Sequence, residues 1–216
     1  MFSFNDVLHI EKPESLDIDN HPKTIAFAVE PDSVVMDHTA ARHHLIVTQN
    51  SSLSRVYSHK YRGLWEYTRN SWVNFIPYPR NFCNIEDSEQ GIIIADETFK
   101  CTSIERTLVD LMQLPEFSGG IDEILEAYDC GLNNDFNWGS FLKYMDIWNT
   151  PTLNIRIKAL LTFYKERWEI PFDILSKIDV QDLDSLRIEL FWGESTLFDK
   201  ELGMWAVDLK QFLPLY

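Results

Sequence analysis

Three groups of residues in this chain have types and spacings that chemistry could use. His38, His43 and His44 lie within seven positions of one another. Imidazole is a common metal ligand. On a helix, however, His38 and His43 are separated by about 500° of rotation and adjacent His43 and His44 by about 100°, not the i, i+4 face on which a helical zinc site is built. Interface or core histidines are expected, and no metal. The second group is Asp208-Leu209-Lys210, which closes the apolar run Met204 to Val207. A carboxylate to hold Mg²⁺ and a lysine to steady an attacking water take this D-x-K form. Glu189, Glu194 or Asp199 would complete such a site, giving a Mg²⁺-dependent nuclease or nucleotide-modifying enzyme as the alternative function. Only six residues follow Lys210, little chain for a nuclease core. The third group is Glu105, Arg106 and Asp110. Arg106 and Asp110 are an i, i+4 pair, worth about 0.2–0.5 kcal/mol on an exposed helix. As a general acid and base they would need burial and a pocket; support of a helix start is the simpler role. Nucleophile elbows, phosphate-cradling glycine loops and HExxH are absent from the eight-glycine sequence, so no catalytic residue and no cofactor are expected.

The elements that would position these groups read as follows. Thr24 to Val29 looks like a strand, and Asp37 is placed to cap a helix through about Ile46, with Ala40, Ala41, His44 and Leu45 on one side. Residues 53 to 80 are rich in branched and aromatic side chains and predict strands, with turn chemistry at Arg69-Asn70-Ser71. Gly91 to Ala95 reads as a buried strand, Asp96-Glu97 as a turn and Thr98 to Cys101 as a short returning strand. Thr102 followed by Glu105 fits a capping box for a helix burying Ile104, Leu108, Leu111 and Met112. Pro115 stops it, and Gly119-Gly120 allows the next helix to start at a sharp angle, burying Ile121, Ile124, Leu125 and Tyr128. Further helices are predicted over Trp138 to Trp148, Pro151 to about Arg167 and Pro171 to Lys177, then strand-like runs at Leu186 to Trp192 and Gly203 to Val207. The fold class is α+β: mixed or antiparallel strands in the first half, helices over about 102–177, and short terminal strands.

A chain of 216 residues fits one domain, or two lobes sharing a core at about 1–133 and 134–216. Three cysteines, odd in number and without a CxxC pair, exclude a disulfide scaffold and a cysteine-based zinc site. With no basic, apolar leader and no membrane-length apolar run, the expected location is the cytosol, with no membrane contact. The net charge is −15, poorly suited to non-specific nucleic-acid binding. Residues 38–80 depart from this, carrying Arg42, Arg55, Lys60, Arg62, Arg69 and Arg80 against Glu66 alone, a local +5. The tryptophans of the acidic second half suit protein contacts better than base stacking, because acidic neighbours repel phosphate.

The stretch from Cys101 to Met112 (CTSIERTLVDLM), followed by Pro115 to Leu125 (PEFSGGIDEIL), resembles the antitoxin domain of the AbiEi-type antitoxins of type IV toxin–antitoxin and abortive-infection systems, whose recurring pattern is T…ERTLLDLL…P…GG…EVL. Asp37 to Leu45 (DHTAARHHL) and Ile155 to Leu161 (IRIKALL) resemble two further family segments in the same order. Arg42 stands where the family prefers leucine, and His44 where it has glycine. The resemblance implies an antitoxin-like protein opposing a nucleotidyltransferase-like toxin that acts on RNA, in bacterial phage defence; a protein-interaction scaffold for another host or phage factor is the remaining alternative. It makes His38, Arg42, His43, Thr102, Glu105, Arg106, Asp110, Gly119, Gly120 and Arg156 the motif or partner-contact residues. In the family a winged helix at the amino end represses the operon. The matches span about residues 34 to 167, so only about 33 residues precede them, without a basic recognition helix, and DNA binding is not expected.

Overall fold

The structure, a computed structural model, describes residues 22–180 apart from 50, 69, 70, 84, 88, 96–98, 116, 117 and 134, together with short strands at 8–9, 196–199 and 204–207. The chain is α+β. Strands β1 (Leu8–His9), β2 (Val34–Val35), β3 (Leu53–Ser58), β4 (Gly63–Thr68), β5 (Ser71–Pro77), β6 (Ile92–Ala95) and β7 (Phe99–Thr102) form one mixed sheet in the order β1-β4-β5-β3-β2-β7-β6. The long pair β3 and β5 runs parallel in register from Leu53 opposite Trp72 to Ser58 opposite Pro77, with β4 folded back antiparallel on β5. Alternation along β3 sends Val56 into one apolar cluster and its neighbour Tyr57 into another, so both faces of the sheet are covered.

The stretch predicted as a strand at Thr24 to Val29 is instead helix α1 (Pro22–Val29). Pro22 sits at its first position, where the missing N–H costs nothing. α1 lies against β3, β5 and β7 with Ala26 fully buried. As a helix the segment packs Ala26 into the cluster of Val56, Val73, Phe75 and Cys101, and local propensity yields to that packing. Helix α2 (Asp37–His43) follows β2. It ends earlier than predicted, so Leu45 falls beyond it and is 84% exposed instead of sharing a side with the buried Ala40 and Ala41. β6 is a further correction: it forms the sheet edge, with Ile93 and Ile94 exposed rather than buried. An uncharged apolar run was the signal for a central strand, but among the described residues only β7 pairs with it.

The second half is helical as predicted, with α3 (Ile104–Gln113), α4 (Ile121–Gly131), α5 (Trp138–Trp148), α6 (Pro151–Phe163) and α7 (Phe172–Lys177), except that α6 stops at Phe163, short of the expected Arg167, and gives way to turns. α3 is central, packed by α2, α4, α5 and α6. Seven consecutive residues from Arg106 to Met112 are buried, which no single apolar stripe could provide. Gly119 and Gly120, at φ 84° and 107°, make the turn into α4 that a side chain would strain. Of the terminal strands, β8 (Thr196–Asp199) pairs antiparallel with β9 (Met204–Val207). The run expected at Leu186 to Trp192 lies outside the described residues, as do the turns placed at 69–70 and 96–97.

Candidate functional site

The charged motif residues meet inside the protein. Arg106 and Asp110 are 1% and 0% exposed, and the Arg106 Nε–H donates to Asp110 Oδ1 at 2.7 Å. This is not the exposed helix pair that i, i+4 spacing suggests by default. The Trp148 indole N–H from α5 donates to the same oxygen at 2.8 Å, and the Tyr57 hydroxyl from β3 donates to Oδ2 at 3.3 Å. Arg106 Nη1 donates to the Gln90 carbonyl at 3.1 Å, and its guanidinium carbon lies 3.4 Å from the centroid of the Phe82 ring. Burial pushes the Asp110 carboxyl up, while Arg106 and the two side-chain donors pull it back. At Arg106 burial opposes the charge, and Asp110, Tyr57 and Tyr78 together outweigh it and hold the guanidinium pKa up. Three donors converging on one carboxylate are the coordination of an ionised group.

A second buried cluster adjoins it at the start of α2. Asp37 is fully buried with φ 55°, a conformation that stores strain in a non-glycine residue. Its side chain does not cap α2, as its position suggests. Oδ1 accepts from the Ser118 hydroxyl at 3.0 Å, and Oδ2 is 3.4 Å from Nη1 of Arg55. Burial raises its pKa to about 7, against the pull of Arg55, Ser118 and the His38 amide. Next to it, His38 Nε2 lies 2.5 Å from Glu123 Oε2 of α4, an ion-pair distance without the alignment of a hydrogen bond. Burial lowers the histidine pKa, helped by Arg55 and Arg42, and burial raises that of Glu123, so both shifts favour the uncharged forms.

The remaining motif residues hold α3 at its ends. Its cap is Ser103, one residue later than predicted, accepting from the Arg106 amide at 3.4 Å. Thr102 instead ends β7 and shares a 2.7 Å hydrogen bond with the Thr107 hydroxyl. Glu105 does not close the box; its Oε1 accepts from the Asn137 amide, the residue that caps α5, at 3.2 Å. At the other end Arg156 of α6 donates to the Met112 carbonyl at 3.1 Å, and the single Ser118 hydroxyl proton is shared between Asp37 and the carbonyls of Leu111 and Leu114, which lie 3.0 and 3.1 Å from its oxygen. A cation at a helix C-terminus is also favoured by the helix dipole. Arg42 and His43 stand apart from this centre. Arg42 donates to the Gln49 carbonyl at 2.5 Å, and the half-buried His43 ring packs edge-on against Phe99.

Chemically, the arrangement is a lock rather than a reaction centre. Asp110 has its donors supplied by the protein, and aromatic rings wall in Arg106. Cys101 and His44 come within 3.9 Å, but Nε2 of His44 is 2.6 Å from the Thr102 carbonyl. That contact requires its N–H to point at the oxygen, so the nitrogen has no lone pair for the thiol proton. Among the described residues no group of three or more His, Cys, Asp or Glu converges to hold a metal. Asp208, Lys210, Glu189 and Glu194 lie outside the described residues, as does the side chain of Asp199. Sequence reasoning missed Tyr57, Arg55, Trp148, Ser118 and Glu123. Trp148 was legible only as the end of a helix and Ser118 only as loop, because their partners lie 38 and 81 residues away. Among the described residues no helix is long and apolar enough to cross a membrane. The sequence matches no protein-family model and no curated protein, so a functional reading rests on the residues themselves.

Proposed function

We propose that this chain is a cytoplasmic, non-enzymatic antitoxin-like module that opposes a nucleotidyltransferase-type toxin acting on RNA, as its resemblance to the AbiEi-type antitoxins implies. One observation carries the reading. The three separated segments that bear the resemblance come together around α3: Asp37 through Ser118, Arg106 with Asp110 in the middle, and Arg156 at the C-terminal end. Their charged groups are consumed in fixing that helix, so the shared pattern marks a scaffold and leaves the work to its outer faces. α4 presents Asp122, Glu126 and Asp129 outward and carries no basic residue. An acidic face of this kind suits the cationic surface that an enzyme acting on RNA requires, and charge complementarity speeds and orients such an encounter.

The test is co-expression with the product of the neighbouring reading frame. Growth arrest by that product alone, and recovery when this chain is present, is the expected result. A neighbour that is harmless alone, or that arrests growth in the presence of the chain, overturns the proposal.

A further inference from the structure

Where α4 ends, α5 begins and the chain leaves α6, the surface opens into a cavity of about 380 Å³, away from the buried charge centre. That is large enough for a side chain or small ligand. Three aromatic residues stand in its walls, and most of its accessible lining is polar. Phe136 and Trp138 meet edge to face at 4.9 Å on one side, and Trp168, stacked on Tyr128 and Tyr164, stands on the other. Its charged groups are Asp129, Glu169 and Arg167. Arg167 is already engaged, its Nη2 2.5 Å from Asp129 Oδ2, while Trp168 Nε1 donates to Oδ1 at 2.5 Å. Glu169 is exposed at φ 48° and pairs with no cation among the described residues.

Two carboxylates against one paired guanidinium leave the lining net negative, and aromatic faces attract cations. A phosphate would meet the wrong potential from both. A planar guanidinium suits the site better than an ammonium, because it stacks on rings and forks onto a carboxylate. The cavity continues the acidic face of α4, so its cation arrives most simply on the surface of a macromolecule.

We propose that this juxtaposition of Phe136, Trp138 and Trp168 with Asp129 and Glu169 is the anchor for an arginine side chain on the basic surface of the partner protein. Arginine is among the residues enriched at interface hot spots. The partner's identity rests on the proposed antitoxin function; the preference for a guanidinium does not.

Titration of the full chain with N-acetyl-arginine amide, read at the indole N–H signals of Trp138 and Trp168 by NMR, tests that preference. A saturable shift is expected, about fivefold weaker with N-acetyl-lysine amide and with the Glu169→Gln chain, and absent with the neutral N-acetyl-citrulline amide and with AMP. No saturable shift, an equal response to the citrulline compound, or preferential binding of AMP overturns it. The co-expression assay then separates the two claims. If the wild-type chain protects and Asp129→Asn with Glu169→Gln protects equally well, the anchor is wrong and the antitoxin reading stands. If the wild-type chain fails to protect, the antitoxin reading and the partner assignment fall together, while the spectra still judge the arginine preference.

Discussion

Removing Asp110 is the perturbation that bears most directly on how this fold is held. In Asp110→Ala the Arg106 guanidinium stays buried without its counter-charge, and the Trp148 indole and Tyr57 hydroxyl lose their acceptor. Breaking a buried pair by deleting one partner costs about 3–5 kcal/mol, largely from the charge left behind. An orphaned buried donor costs about 1–3 kcal/mol. Those costs overlap, and the loss still takes a large share of the roughly 5–15 kcal/mol available to a domain. Asp110→Ala is therefore expected to lower stability by about 4 kcal/mol. Arg106→Met with Asp110→Leu removes both charges and keeps the volume, so the double variant is expected to lose only about 2 kcal/mol, less than the single one. Urea unfolding followed by tryptophan fluorescence reads both. A loss below about 1 kcal/mol in Asp110→Ala, or a double variant worse than the single one, would refute the lock.

Two further outcomes follow from the same neighbourhood. Asp37 titrates near 7 folded against 3.8 for the ordinary group, so between about pH 4 and 7 the folded chain binds more protons than the unfolded one. Its contribution to stability thus falls as pH rises through that window, by roughly 1.4 kcal/mol per unit at most. Asp37→Asn is expected to flatten the fall; His38, whose lowered pKa pulls the other way, is present in both chains and drops out of the comparison. Parallel pH–stability curves for the two chains would exclude this origin. Gly91 has φ 73°, and a Cβ there would stand 2.6 Å from Cζ of the buried Tyr144. Gly91→Ala is expected to cost about 1–3 kcal/mol in thermal or urea unfolding; an unchanged midpoint contradicts the packing.

How much of this was legible depended on whether the signal was local. The helices from α3 to α7 follow from apolar spacing and from Pro115, Gly119 and Pro151, all of which act within a few residues. Arg106 and Asp110 were visible as a pair, but i, i+4 spacing is the same on a wet helix and in a core. Only Tyr57, Phe82 and Trp148, from three other elements, decide between them. Thr24 to Val29 misled because β-branched and aromatic residues are its local signal, while its role as a lid over β3 and β5 is set by the sheet. The Thr102 capping box failed by one residue for a related reason. Pairing of β7 with β6 holds Thr102 in the ladder opposite Ile92, and Ser103 is the first residue free to cap.

Apolar packing sets the azimuth of α3 only coarsely, by turning Leu108, Leu111 and Met112 toward the helical core. Directional contacts make the choice: Ser103 and Thr102 at one end, Arg106–Asp110 at the centre, and Ser118 with Arg156 at the other. Polar contacts of this kind specify geometry where hydrophobic burial is indifferent to it. Because each pin comes from a different part of the chain, the recognisable sequence pattern is the set of pins. The outward side of α4 and the aromatic cavity beside it take no part in that framework. They carry net negative charge and have no structural duty among the pins, and the proposed arginine anchor is placed there for that reason.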